Sequence, residues 1–233
     1  AKFHDGSSIT VEDIIWTLNV LKEKGHPFYR FYYSNIKKAE KLNNSEVKFI
    51  FQGERNLELP LIIGQMRILS KKYWKDKFED VLLEPPIGSG PYKVKSLKAG
   101  RTIEFERVKD YWAKDLAVNK GKFNFDNIII EYFRDATVAL EAFKTGDYDF
   151  REENQAKRWA TAYNFPAIKK GLVKKEEIKH EIPSGMQGFF INTRKEIFKD
   201  PIVRKALNYA FDFEWTNKAL FFSQYKRTNS YFS

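Results

Sequence analysis

The sequence predicts a mixed α/β (α+β) protein, on three observations. Apolar residues recur at helical spacing behind capping residues at three separate places, 11–21, 136–143 and 203–210. Two strand-like runs flank a short turn twice, over 36–51 and over 92–107. A strand-like run, a short helical pattern and a second strand-like run then follow one another over 127–150.

The 233 residues are enough for one large domain or two small ones. They are 42% apolar and 16% aromatic, which supplies a core and excludes compositional disorder. No run approaches 18 apolar residues, and the first 15 residues lack the basic-then-apolar plan of a leader. Cysteine is absent, which removes thiol nucleophiles, cysteine-held metals and disulfides together. The net charge of +10 raises nucleic acid or an anionic surface as a partner. The bases are interleaved with acids along the chain, which favours a solvated lysine-rich surface and no nucleic-acid partner.

The elements follow in order. Thr10 caps a helix, with Asp13 placed to complete a capping box. Val11, Ile14, Ile15, Leu18 and Leu21 form its buried face, and Gly25 with Pro27 ends it. The aromatic-dense stretch 26–35 has no clean period. It reads either as a loop packed under the domain or as a recognition loop, since tyrosine joins contact area to a polar tip. Strands at 36–42 and 47–51 flank the turn Asn43-Asn44-Ser45-Glu46. Residues 58–74 are apolar and helical in part, with Gly64 weakening the pattern.

Pro85-Pro86-Ile87-Gly88-Ser89-Gly90-Pro91-Tyr92 is the strongest punctuation in the chain. A phosphate loop would need Gly-Lys-Ser/Thr opening a helix, and here a strand follows. The stretch reads as a tight passage between subdomains. Strands at 92–95 and 102–107 flank a turn at 98–101, and 127–133 is a further strand. Asp135 caps a helix that Gly146 ends, and a strand at 148–150 would complete a crossover unit. Further strands are expected at 177–182 and 188–192. Asp200-Pro201 opens a helix with Val203, Ala206, Leu207 and Ala210 on one face, and Asp212 caps another around 214–222.

Little in this pattern supports catalysis. His4, His26 and His180 have no ligand-spaced partners, so no metal and no cofactor is expected. No Gly-x-Ser-x-Gly elbow is present. Glu152 and Glu153 are adjacent, and on a strand adjacent side chains face opposite ways. A binding protein, and not an enzyme, fits better.

Three blocks carry a family resemblance. KFHDGSSITVEDIIWTL (2–18), GSGPYKVKSLKAGRTIEFERVKDYW (88–112) and GFFINTRKEIFKDPIVRKALNYAFD (188–212) resemble signatures of the family 5 extracellular solute-binding proteins of ABC importers. They stand in the family's order and spacing. Val11 replaces a usual alanine, and Val108-Lys109 a usual Asn-Pro. Residues 135–154, 185–194, 211–221 and 225–232 are similar to its YejA-type branch, periplasmic receptors for oligopeptides and, in some bacteria, for peptide–nucleotide antibiotics of the microcin C type.

The resemblance implies a two-lobe, periplasmic-binding-protein type II-like fold that closes on ligand about hinge strands. Residues 1–87 would be an extra subdomain of the first lobe, 88–187 that lobe's main sheet, and 188–233 the hinge strand and first helices of a truncated second lobe. The first motif lies well inside the family's proteins, so the chain is expected to be an internal piece with its signal peptide elsewhere. Implied partners are an oligopeptide ligand and ABC permease subunits of the inner membrane, and the intact protein would be monomeric. Heme, nickel or a peptide–nucleotide conjugate are alternative ligands for the same fold. The ligand-binding candidates are Tyr29, Tyr32, Arg151, Glu153, Asn154 and Trp159, and the hinge candidates are Gly188, Phe190 and Asn192. The family's acidic anchor for a peptide amino terminus normally lies beyond residue 233.

Overall fold

The structure, a computed structural model, describes residues 1–182 and 185–230. The chain forms two compact units, Ala1–Phe133 and Arg134–Ser233.

The first unit is built around helix α1 (Val11–Glu23). The expected capping box is present. The Asp13 N–H donates to Thr10 Oγ1 at 3.2 Å, and the Thr10 N–H donates to Asp13 Oδ2 at 2.8 Å. Asp13 also accepts the Lys71 N–H at 2.8 Å through Oδ1, so one buried carboxylate starts two helices. One turn on, the fully buried Thr17 hydroxyl donates to Asp13 O and accepts the Leu69 N–H. Segment 69–71 is thereby stitched along α1. Gly25 ends the helix by close approach, because a Cβ there would lie 2.4 Å from Leu21 O.

Within the aromatic stretch 26–35, residues 27–32 form a short helix and 33–35 a turn. In α2 (Pro27–Tyr32) His26 Nδ1 accepts the Phe28 N–H and Pro27 occupies the first turn. Six residues are too few to show a helical period in sequence. The four-residue spacing stacks Phe28 on Tyr32 and Tyr29 on Tyr33, with centroids 5.2 and 6.0 Å apart. Hairpin β1 (Ile36–Lys41) and β2 (Val47–Phe51) is antiparallel, its turn held by Asn43 Oδ1 accepting the Ser45 N–H. Two short helices follow, α3 (Leu59–Gly64), which Gly64 closes, and α4 (Lys71–Trp74). The core joins Leu18 of α1, Tyr33, Ile36 of β1 and Met66, with Ile62 and Ile63 of α3 packed against them. Burying a side chain such as Leu18 contributes roughly 1.5–3 kcal/mol.

The Pro/Gly passage is pinned by two distant side chains. His4 Nδ1 accepts the Gly88 N–H and its Nε2 donates to Gly90 O, an arrangement a neutral ring protonated on Nε2 satisfies. The His4 backbone N–H donates to Gly88 O at 2.8 Å, and Trp112 Nε1 donates to Ser89 O at 3.0 Å. The passage leads into a three-stranded sheet of order β3 (Tyr92–Lys98), β4 (Thr102–Arg107), β5 (Asn127–Glu131). Both ladders are antiparallel, and every residue of β5 is exposed.

The second unit opens on α5 (Ala136–Thr145). Asp135 accepts the N–H groups of Thr137 and Val138, and Gly146 turns out of the helix at φ 86°, a left-handed value that suits glycine. Helices α6 (Ala156–Thr161), α7 (Pro166–Lys169), α8 (Pro201–Ala210) and α9 (Phe213–Leu220) follow. Asp200 and Asp212 cap the last two, as their sequence spacing predicts. Buried Asn217 of α9 holds the chain behind it, donating to Tyr225 O and accepting the Tyr225 N–H.

Three expected strands are absent. Residues 148–150, 177–182 and 188–192 have no regular structure. The crossover unit predicted after β5 is therefore not formed, and the sheet is wholly antiparallel. A strand requires a neighbour's ladder bonds. Tyr148 is turned instead to donate its hydroxyl to Ala139 O. In 188–192 the rings of Phe189 and Phe190 are 91% and 80% exposed, with no sheet to pack on.

Candidate ligand-binding site

The two groups of candidate residues lie in different units and are described separately. In the second unit the turn after α5 carries Arg151 and Glu153, and the loop after α6 carries Tyr163. Arg151 sits at the middle of a closed network. Its Nη1 donates to the Tyr148 hydroxyl at 2.9 Å, its Nε to the Tyr163 hydroxyl at 3.1 Å, and its Nη2 to Glu153 Oε2 at 3.2 Å. Tyr163 donates in turn to Glu153 Oε2 at 3.0 Å, and the Gln155 N–H donates to Oε1 at 3.1 Å. The side chains of Arg151 and Glu153 are only 11% and 2% exposed.

Burial pushes the Glu153 carboxyl up, but the Gln155 N–H, Tyr163 and Arg151 outweigh it and hold the carboxyl below its ordinary range. Burial likewise works against the Arg151 cation. Both tyrosine hydroxyls and Glu153 overcome it, so the charge is held more firmly than in water. The Tyr163 hydroxyl is pushed up, chiefly by burial. The pair is thus ionised and internally neutralised. It fixes the turn and offers no bare charge to a ligand.

Trp159 lies one contact away, its ring 5.9 Å from that of Tyr163. Lys175 covers it, with Nζ 4.2 Å from the ring centroid and donating to Trp159 O at 2.5 Å. Asn154 is exposed beside the network. The structure therefore brings Arg151, Glu153 and Trp159 together and leaves Asn154 free at their edge. Tyr148 and Tyr163, which complete the network, escaped sequence reading. The three-residue step from Tyr148 to Arg151 was the local clue, but Tyr163 enters only through tertiary packing.

In the first unit Tyr29 and Tyr32 lie in the stacked ladder of α2. Tyr29 is exposed, and the hydroxyl of half-buried Tyr32 reaches Gln65 Oε1 at 3.4 Å. The hinge candidates Gly188, Phe190 and Asn192 are exposed outside any strand, and Asn192 Oδ1 accepts the Arg194 N–H. Among the described residues no group of three or more His, Asp or Glu could hold a metal ion. None of the described helices is long and apolar enough to cross a membrane.

The whole chain, residues 1–233, matches the bacterial extracellular solute-binding proteins, family 5 middle. The chain belongs to this family. It is 42% identical over 242 residues to the "Probable peptide-binding protein YejA" of Agrobacterium fabrum, covering 100% of this chain and 39% of that relative. Among solved structures it is similar to the oligopeptide-binding protein AppA of Bacillus subtilis in complex with a nonapeptide. That match has a TM-score of 0.69 and 26% identity, covering 97% of this chain and 43% of AppA. NikA of Brucella suis in complex with Fe(III)-EDTA gives a TM-score of 0.76 at 21% identity, covering 100% of this chain and 45% of NikA, a likeness of fold. The mixed helix and strand architecture is thus that of periplasmic binding proteins of the family 5 type, of which the chain represents part.

Proposed function

We propose that the protein is the substrate-binding component of an ABC importer, capturing oligopeptides or peptide-like compounds in a cleft between two lobes for delivery to a membrane permease. The observation that carries this reading is the 42% identity along the full chain to the "Probable peptide-binding protein YejA" of Agrobacterium fabrum. The family's extracellular character fits a periplasmic location and a non-enzymatic role. In this reading residues 1–87 are the extra subdomain, 88–187 the main sheet of the first lobe, and 188–233 the start of the second. Gly188, Phe190 and Asn192 lie on the hinge, an exposed segment outside any strand.

Recognition then rests on the ligand's constant parts. Peptide amides pair with protein groups, charged termini meet opposite charges, and side chains lie in hydrated pockets where water adapts to them. Trp159 and Asn154 supply contact surface within the second unit, and Tyr29 and Tyr32 are separate candidates within the first. Arg151 and Glu153 hold the turn that presents the first two of these. The test is calorimetric titration of the full-length protein with short peptides. Trp159→Ala is expected to weaken binding about tenfold, worth about 1.4 kcal/mol, measured well below the melting temperature of the variant, because the ring also packs on Tyr163 and Lys175. Unchanged affinity would remove Trp159 from the site. Absence of any peptide binding by the unaltered protein would overturn the proposal.

A further inference from the structure

Loop 108–126 and the ends of β3 and β4 line an open concavity of about 230 Å³. Its walls are apolar at Pro91, Val108, Tyr111 and Phe123. Its charged lining is Arg107, Lys109, Lys114 and Lys122, with no carboxylate among the lining residues. None of the three lysines pairs with a carboxylate among the described residues, whereas Lys93 and Lys95 on the adjoining sheet pair with Glu106 and Glu104. Three unpaired lysines around one small concavity with low-dielectric walls focus a positive potential into it, while the charge of Arg107 is balanced by Asp126.

Two further features mark the cavity as shaped. Arg107 is fixed by its ends, donating from Nη1 to Phe123 O at 3.3 Å and from Nη2 to Asp126 Oδ1 at 2.5 Å. Its Nε is sealed from solvent with no partner, an unmet donor beside the cavity. Phe123 holds φ 59°, a left-handed value that is costly for a bulky side chain. That conformation sets its ring edge-on to Tyr92 and Tyr111 at 6.3 and 6.1 Å, and so builds one wall.

We propose that this cavity binds a small, multiply charged anion of the phosphate class. The volume lies below the roughly 300–1,000 Å³ of pockets for drug-sized ligands, so the occupant is a compact group and not a peptide. The site shares no residue with those proposed for peptide capture and goes beyond that reading. The same phosphate chemistry is carried by a free polyphosphate and by a lipid headgroup.

The test titrates the protein with inorganic pyrophosphate at low salt by calorimetry. One saturable site is expected. The exposed pair Lys114→Gln with Lys122→Gln should weaken it about tenfold or more. The pair Lys169→Gln with Lys170→Gln, which removes equal charge from the other unit, should change it less than about twofold. Melting temperatures of both variants check that each is folded. Binding without saturation, or equal loss in the two variants, would reduce the effect to net charge and overturn the proposal. Co-sedimentation with vesicles containing phosphatidylglycerol, against phosphatidylcholine alone, separates the sources. Retention that the cavity pair abolishes assigns the lipid headgroup. Pyrophosphate binding with no retention assigns a free phosphate.

Discussion

Asp13 uses both carboxylate oxygens, one on the start of its own helix and one on the Lys71 N–H 58 residues away. Thr10 contributes only to the first of these. Thr10→Ala is therefore expected to cost about 1 kcal/mol of stability. Asp13→Ala should cost roughly 2–3 kcal/mol, because buried N–H groups lose a charged acceptor. Urea melts of the two variants check the order, and equal losses would contradict it. Glu153 gives a pH signature. Its folded pKa lies below the ordinary value of 4.5, so its stabilisation is complete above that value and lost as pH falls through the folded pKa. The second unit should weaken below about pH 4.5. Glu153→Gln should abolish this dependence while costing about 3 kcal/mol at neutral pH by leaving Arg151 unpaired. A variant with the same acid sensitivity as the unaltered protein would assign the effect to other carboxylates.

At the scale of elements, sequence reading succeeded where local chemistry decides the outcome. The capping box of α1, the Asn43 turn, the Asp135 cap with Gly146, and Asp200-Pro201 each fix their element through neighbours in sequence. It failed where a distant partner decides. Residues 148–150, 177–182 and 188–192 read like strands but have no ladder, and α2 was hidden because six residues are too few to show a helical period. The site is less legible. Arg151 and Glu153 enter only as ligand-binding candidates through the family resemblance; their mutual pairing is not read from the sequence, and Tyr163, which locks them, arrives from ten residues beyond Glu153. Strand β5 carries its own consequence. It is a sheet edge with Ile128, Ile129 and Ile130 exposed at 36%, 58% and 42%. Such an edge invites pairing with another chain. The 233-residue chain alone should self-associate with rising concentration in light-scattering chromatography, and Ile129→Lys should suppress this. A clean monomer at all concentrations would contradict the prediction.

At the scale of the molecule, the apolar faces left open have a common context. Ile202, Leu207 and Tyr209 of α8 are exposed at 74%, 46% and 77%, as are the phenylalanines of 188–192. The chain spans 39% of its YejA relative, and exposed faces of this kind fit surfaces that the remainder of a family 5 protein covers. The charge of +10 is spread along the whole chain, with acids interleaved among the bases. The central claim is capture of oligopeptides. It is tested most directly by purifying the full-length protein from the periplasm, denaturing it and identifying the released small molecules by mass spectrometry. A ladder of short peptides in near-stoichiometric amount is the predicted result. A single non-peptide species, such as heme or a metal chelate, would contradict it.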